Sequence, residues 1–125
     1  MSKRKIEYYK MLEKQHDLET KKYSKLQKVN KLYEELAKVN KKLAQNLQKR
    51  ESISSKLENF LSAGYSDKAK KEEVNLKKLE SEIAQKELKI RELTSKIRDV
   101  EQELSKIETK IIEYKKKAES LGSTS

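Results

Sequence analysis

FLSAGYSDK, residues 60–68, holds Gly64, the only glycine before residue 122 of a 125-residue chain. On either side of it lie long segments whose apolar residues recur at alternating three- and four-residue steps. Whether one helix runs through this stretch or the chain reverses there decides the fold.

The segment after it is the more regular. From Leu76 the steps meet Leu79, Ile83, Lys86, Ile90, Leu93, Ile97, Val100, Leu104, Ile107, Ile111, Tyr114, Ala118 and Leu121. Only Lys86 interrupts the series. A period near 3.5 sustained for so long marks the a and d positions of a coiled-coil seam, because no other spacing keeps one stripe facing a partner helix. The segment before it is rougher: Tyr8, Met11, Gln15, Leu18, Lys22, Lys25, Val29, Leu32, Leu36, Val39, Leu43, Asn46, Arg50, Ile53, Leu57 and Phe60. Leu12, Leu26, Tyr33, Leu47 and Leu61 stand beside this stripe in one e column and widen the apolar face, as expected of a helix that touches more than one neighbour.

The two seams are out of phase across residues 62–67. Gly suits the left-handed residue that closes a helix, and Ser66 or Asp67 suits the N-cap of the next one. These signals predict an all-α, antiparallel two-helix coiled-coil hairpin. Helix one covers about residues 3–61, the turn 62–67, helix two 68–121 and a frayed tail 122–125, the whole forming a single module. Gly122 reads as a second C-cap, with Lys115, Lys116 and Lys117 before it favouring the helix dipole. The alternative is an extended parallel coiled-coil dimer, twice as long at about 1.5 Å per residue.

Folding back in register places Val29 opposite Val100, Leu32 opposite Ile97, Leu36 opposite Leu93 and Ile53 opposite Leu76. Flanking charges then pair Lys28 with Glu103, Glu35 with Lys96 and Lys49 with Glu82. Lys42 faces Lys89, Lys21 faces Lys110, Lys14 faces Lys117 and Glu19 faces Glu108, all repulsive. Exposed pairs of this kind contribute about 0.3–0.5 kcal/mol each, enough to tune a register and not to impose one.

Composition limits what such a hairpin can do. Charged residues make up 42% and apolar residues 34%, so only a narrow stripe can be buried and no thick core can form. With no Cys, disulfides, thiol chemistry and zinc clusters are excluded. The basic start of the chain is followed by no apolar run and is not a secretory signal. No segment has the length of apolar sequence that spans a bilayer, and an intracellular location, cytoplasmic or nuclear, is expected. His16, with Asp17 and Glu13 nearby, is a weak metal-ligand set and reads as a surface histidine. A two-helix module offers no water-excluding pocket for catalysis, so neither an enzyme nor a cofactor is expected.

The formal charge of +10 is concentrated early: residues 1–61 carry 16 Lys/Arg against 8 Asp/Glu. In the hairpin, Lys3, Arg4, Lys5, Lys14 and Lys21 gather with Lys110, Lys115, Lys116 and Lys117 at the end where the termini meet. Asn46, Arg50 and Lys86 interrupt the seam as candidate register-specifying residues, since a buried polar group penalises wrong alignments. Two functions follow. The first is a structural or adaptor subunit that offers Leu12, Leu26, Tyr33, Leu47 and Leu61 to other coiled-coil proteins, to a second copy, or to an acidic helix. The second is a basic coiled coil that binds nucleic acid or an anionic membrane through its charged end.

Overall fold

In the computed structural model, which describes residues 2–122, the first helix opens on Ser2. Its Oγ accepts the Lys5 amide at 3.3 Å and its carbonyl accepts the Ile6 amide at 3.2 Å, so Ser2 is an N-cap satisfying one of the otherwise orphaned donors. Helix α1 runs Lys3–Ser62 and helix α2 runs Ser66–Gly122. The two pack against each other as an all-α hairpin, with no strand among the described residues.

The reversal is a Schellman closure. The Tyr65 amide donates to the Phe60 carbonyl at 2.9 Å and the Gly64 amide to the Leu61 carbonyl at 3.3 Å, the paired bonds that end a helix on a left-handed residue. Gly64 is that residue, at φ +80°. The Phe60 and Tyr65 rings meet edge to face at 6.4 Å, and the Lys68 ammonium lies 5.8 Å from the first ring and 5.2 Å from the second. This closure needs only Ala63, Gly64 and Tyr65 between the helices, so the turn is shorter than residues 62–67. It also corrects the capping assignment. The Tyr65 carbonyl accepts the first amide of α2, from Ala69 at 3.0 Å, so Tyr65 is the N-cap; Ser66 and Asp67 lie in the first turn, where Asp67 favours the dipole.

A Cβ at residue 64 would meet nothing within 4 Å. Gly64→Ala is therefore expected to cost only the left-handed backbone strain, about 1–2 kcal/mol. Urea titration followed by circular dichroism reads it, and an unchanged midpoint would show that the turn can close without that conformation.

The helices form two compact units. One comprises the described residues of Met1–Leu32 and Lys96–Ser125, and its centre is Val29, Val100 and Leu104 with Leu32 packed against them. Ile97 and Ala118 are also buried in it. The second, Tyr33–Ser95, buries Ala69, Leu79, Ile83 and Leu93, the last only 1% exposed. Among the described residues every a and d position of the two expected seams is at least half-buried except Arg50.

Gly122 departs from its expected role. It is still helical and has no positive φ; instead, a Cβ there would stand 3.3 Å from Cε2 of Tyr8, so its missing side chain makes room for that ring. The last turn of α2 holds no basic residue, which removes the dipole role given to Lys115, Lys116 and Lys117. Residues 123–125 of the expected tail lie outside the described residues.

Candidate functional site

In the unit of residues 1–32 with 96–125, the seam lysines resolve charges that the flanking positions were expected to handle. Lys25 reaches Glu103 at 2.6 Å, displacing the expected Lys28–Glu103 pair, and Lys22 reaches Glu108 at 3.6 Å. Both follow from the length of the lysine stem, which lies along the apolar seam while the ammonium reaches its rim. The expected clash of Glu19 with Glu108 is relieved as well, since Glu19 accepts a hydrogen bond from Gln15 at 3.3 Å and Glu108 takes Lys22. Lys14 and Lys117 do not simply repel. Each ammonium sits 5.6 Å from the centre of the Tyr114 ring, whose π face attracts cations.

The hydrogen bond and charge of Lys25 hold the Glu103 carboxyl below the usual carboxylate range, with Lys28 and Lys106 adding smaller contributions and partial desolvation opposing them. A carboxylate whose folded value is depressed stabilises the fold fully above its ordinary unfolded value, and that contribution is lost as pH falls through the lowered one. Glu103→Gln is thus expected to flatten the acid limb of thermal stability and to leave Lys25 without its anion at neutral pH. Melting curves taken from neutral pH into acid check this; an acid limb identical in the two proteins would show that the pair contributes nothing.

In the unit Tyr33–Ser95, Lys89 pairs with Glu35 at 3.5 Å in place of the expected Glu35–Lys96 pair. The same bond draws Lys89 toward a carboxylate about two turns away from Lys42 and offsets their repulsion. The three seam interruptions separate here. Asn46 is 7% exposed and its Nδ2 finds no hydrogen-bond acceptor. Lys86 is half-buried, whereas Arg50 is exposed and so carries no burial cost with which to select a register.

The e column of α1 stays outside the seams. Leu12 and Leu26 are exposed in the first unit; Tyr33, Leu47 and Leu61 are exposed in the second. Lys3, Arg4, Lys5, Lys14, Lys21, Lys110, Lys115, Lys116 and Lys117 are likewise exposed and all belong to the first unit. That unit carries 17 Lys/Arg against 10 Asp/Glu and the second 14 against 11, so most of the basic excess is at the terminal end. Tyr8, Tyr9, Leu121 and Gly122 line a hollow of about 310 Å³ there together with Ser2, Arg4 and Lys5. Tyr9, at 57%, and Tyr23, at 65%, are also exposed in this unit.

Among the described residues no helix is long and apolar enough to cross a membrane. No protein-family model, curated protein sequence or solved structure matches this chain.

Proposed function

We propose that this chain is a non-enzymatic structural subunit that joins other helical proteins by helix–helix packing, acting as a small scaffold in the cytoplasm or nucleus. The observation that carries this reading is the apolar e column of α1. Leu12, Leu26, Leu47 and Leu61 remain exposed although the hairpin has already buried its own a and d positions. Leucines set beside a completed seam serve a further helix better than they serve solvent, since each side chain buried contributes about 1.5–3 kcal/mol. Leu26→Lys with Leu47→Lys changes one such residue in each unit and no seam position. The double variant is expected to keep its helicity and melting midpoint while its affinity for helical partners falls at least tenfold, on the order of 1.4 kcal/mol. Retention of every partner in a pull-down from cells would dispose of the proposal.

A second reading rests on the basic excess of the terminal unit, which suits nucleic acid or an anionic membrane. Counterion release makes such binding fall steeply with salt, whereas a partner held by leucines persists. Purified chain that shows no salt-sensitive retention on DNA, RNA or acidic liposomes removes this second reading and leaves the first intact.

A further inference from the structure

Within the unit of residues 1–32 with 96–125, the two sides of the hairpin differ in charge. In an antiparallel pair the g and c positions of both helices flank one side of the seam, and the e and b positions flank the other. The first side carries Lys14, Lys21, Lys28, Lys96, Lys110 and Lys117 at g and Lys3, Lys10, Lys31 and Lys106 at c, all exposed. Its carboxylates are Glu7, Asp17, Asp99, Glu103 and Glu113, so ten cations stand there against five anions. The second side holds Lys5, Arg98 and Lys115 against Glu19, Glu101, Glu108 and Glu119. The basic excess of the exposed flanks is therefore confined to one side.

Contacts across the helices join these lysines into one surface. Lys21, Lys106 and Lys110 open on a hollow of about 240 Å³, floored by Leu18 and Ile107 and bordered by Glu103, whose carboxylate Lys25 engages at 2.6 Å. One heptad away, the Lys14 and Lys117 ammonium groups each lie 5.6 Å from the centre of the Tyr114 ring. Two rungs of like charge thus stand in succession, Lys14 with Lys117 and Lys21 with Lys110. Among the described residues none of these four lysines is paired with a carboxylate.

The rest of this surface narrows the occupant. The exposed large apolar side chains of the unit are Ile6, Tyr9, Leu12, Tyr23, Leu26 and Ile112, which occupy b, e and f positions and leave g and c without one. A helix lying on a membrane needs an apolar face to sink into the lipid. Protein interfaces use aromatic and apolar anchors and are depleted in Lys. Binding of single strands adds aromatic platforms for unpaired bases, whereas Tyr114 is half-buried and its ring already meets two ammonium groups. A row of lysine point charges suits a ligand that presents phosphates and keeps its bases inside.

We infer that this lysine side binds the phosphate backbone of double-stranded nucleic acid without reading its sequence. The inference rests on the second functional reading above and commits it to one side of the hairpin and one ligand. A phosphate drawn between the lysines of a rung replaces their mutual repulsion with two attractions.

Fluorescence anisotropy of a labelled short DNA duplex titrated with the full chain, from about 50 to 200 mM salt, tests this. Four phosphate contacts, one for each lysine of the two rungs, give a slope of log K against log salt of about −3.6. Duplexes of unrelated sequence are expected to bind alike, and one strand alone at least tenfold more weakly. Lys21→Gln with Lys110→Gln removes two charges from the lysine side; Lys5→Gln with Lys115→Gln removes two from the other. The first variant is expected to lose about 2 from the magnitude of the slope and at least tenfold in affinity, and the second to keep the slope of the parent. Melting curves control for folding, and loss of a like-charged rung is not expected to lower the midpoint. Equal losses in the two variants overturn the assignment to one side and leave the nucleic-acid reading standing. Tighter binding of the single strand, tighter retention on acidic vesicles, or discrimination among duplexes overturns the choice of ligand. Absence of salt-sensitive binding to all of these probes removes the second reading itself, and this inference with it.

Discussion

Leu93→Ala is expected to destabilise the hairpin by about 3 kcal/mol, within the range of roughly 2–5 kcal/mol typical of a buried leucine truncated to alanine. Leu93 is the least exposed large side chain among the described residues, at 1%. In a two-helix structure each buried layer is only a few side chains wide, so neighbours cannot close over a cavity without moving the helices. The loss therefore combines the transfer energy of the missing methyl groups with the dispersion contacts that the cavity removes. Leu88 provides the control on the same helix. It is exposed, and Leu88→Ala is expected to shift stability by no more than about 0.5 kcal/mol. Urea unfolding of both variants at one chain concentration measures the difference; equal midpoints for the two would mean that the a and d stripe does not hold the helices together.

Asn46→Leu is expected to act in the opposite direction, raising stability by about 1–3 kcal/mol. That is the penalty of keeping a buried polar group without its hydrogen bond, and Asn46 Nδ2 stands in that position. The register places Asn46 opposite Ile83, which is itself buried, so a leucine would meet an apolar partner. A residue that destabilises its own fold is retained at a seam when it excludes other alignments, because shifted registers would bury it no better and lose the matched layers elsewhere. The Leu variant is accordingly expected to be more stable and less uniform, with spin-label distances across the two helices broadening beyond the single distribution of the parent chain. A variant that gains stability and keeps one sharp distribution would remove Asn46 from the register-setting residues. Arg50, exposed opposite buried Leu79, is not expected to behave in this way.

Much of the fold was legible because a seam repeats. The positions from Leu76 to Leu121 bury as their spacing requires, and so does the rougher series from Tyr8 to Phe60 except at Arg50, even where it passes through Gln15, Lys22 and Lys25. What the spacing could not supply is where long side chains end. Lys25 and Lys28 are equally basic in sequence, yet Glu103 closes on Lys25; Glu35 chooses Lys89 over Lys96. A lysine head sweeps several ångströms around its Cα, so a wheel diagram that assigns partners by column misses contacts made from the seam itself. The N-cap of α2 was misplaced for a related reason. Polar side chains advertise caps, but the Schellman geometry at Gly64 fixed the start of α2 by backbone hydrogen bonds, and these fall on Tyr65. Ser2 was overlooked as the cap of α1 although its residue type is the expected one.

The candidate docking surface was partly visible. Leu12, Leu26, Tyr33, Leu47 and Leu61 stand out as a column beside the seam. Tyr9 and Tyr23 belong to the adjacent column in the first unit.

The amino-acid sequence by itself determined that this chain is helical, that it reverses near Gly64, and which stripe each helix buries, because periodicity and the left-handed freedom of glycine act over a few neighbouring residues. Only the tertiary structure decided which carboxylate meets which lysine, that Gly122 yields space to Tyr8, and that Asn46 is sealed without an acceptor for Nδ2. Those outcomes depend on juxtaposing residues distant along the chain, where reach and packing act over a few ångströms and spacing in sequence no longer does.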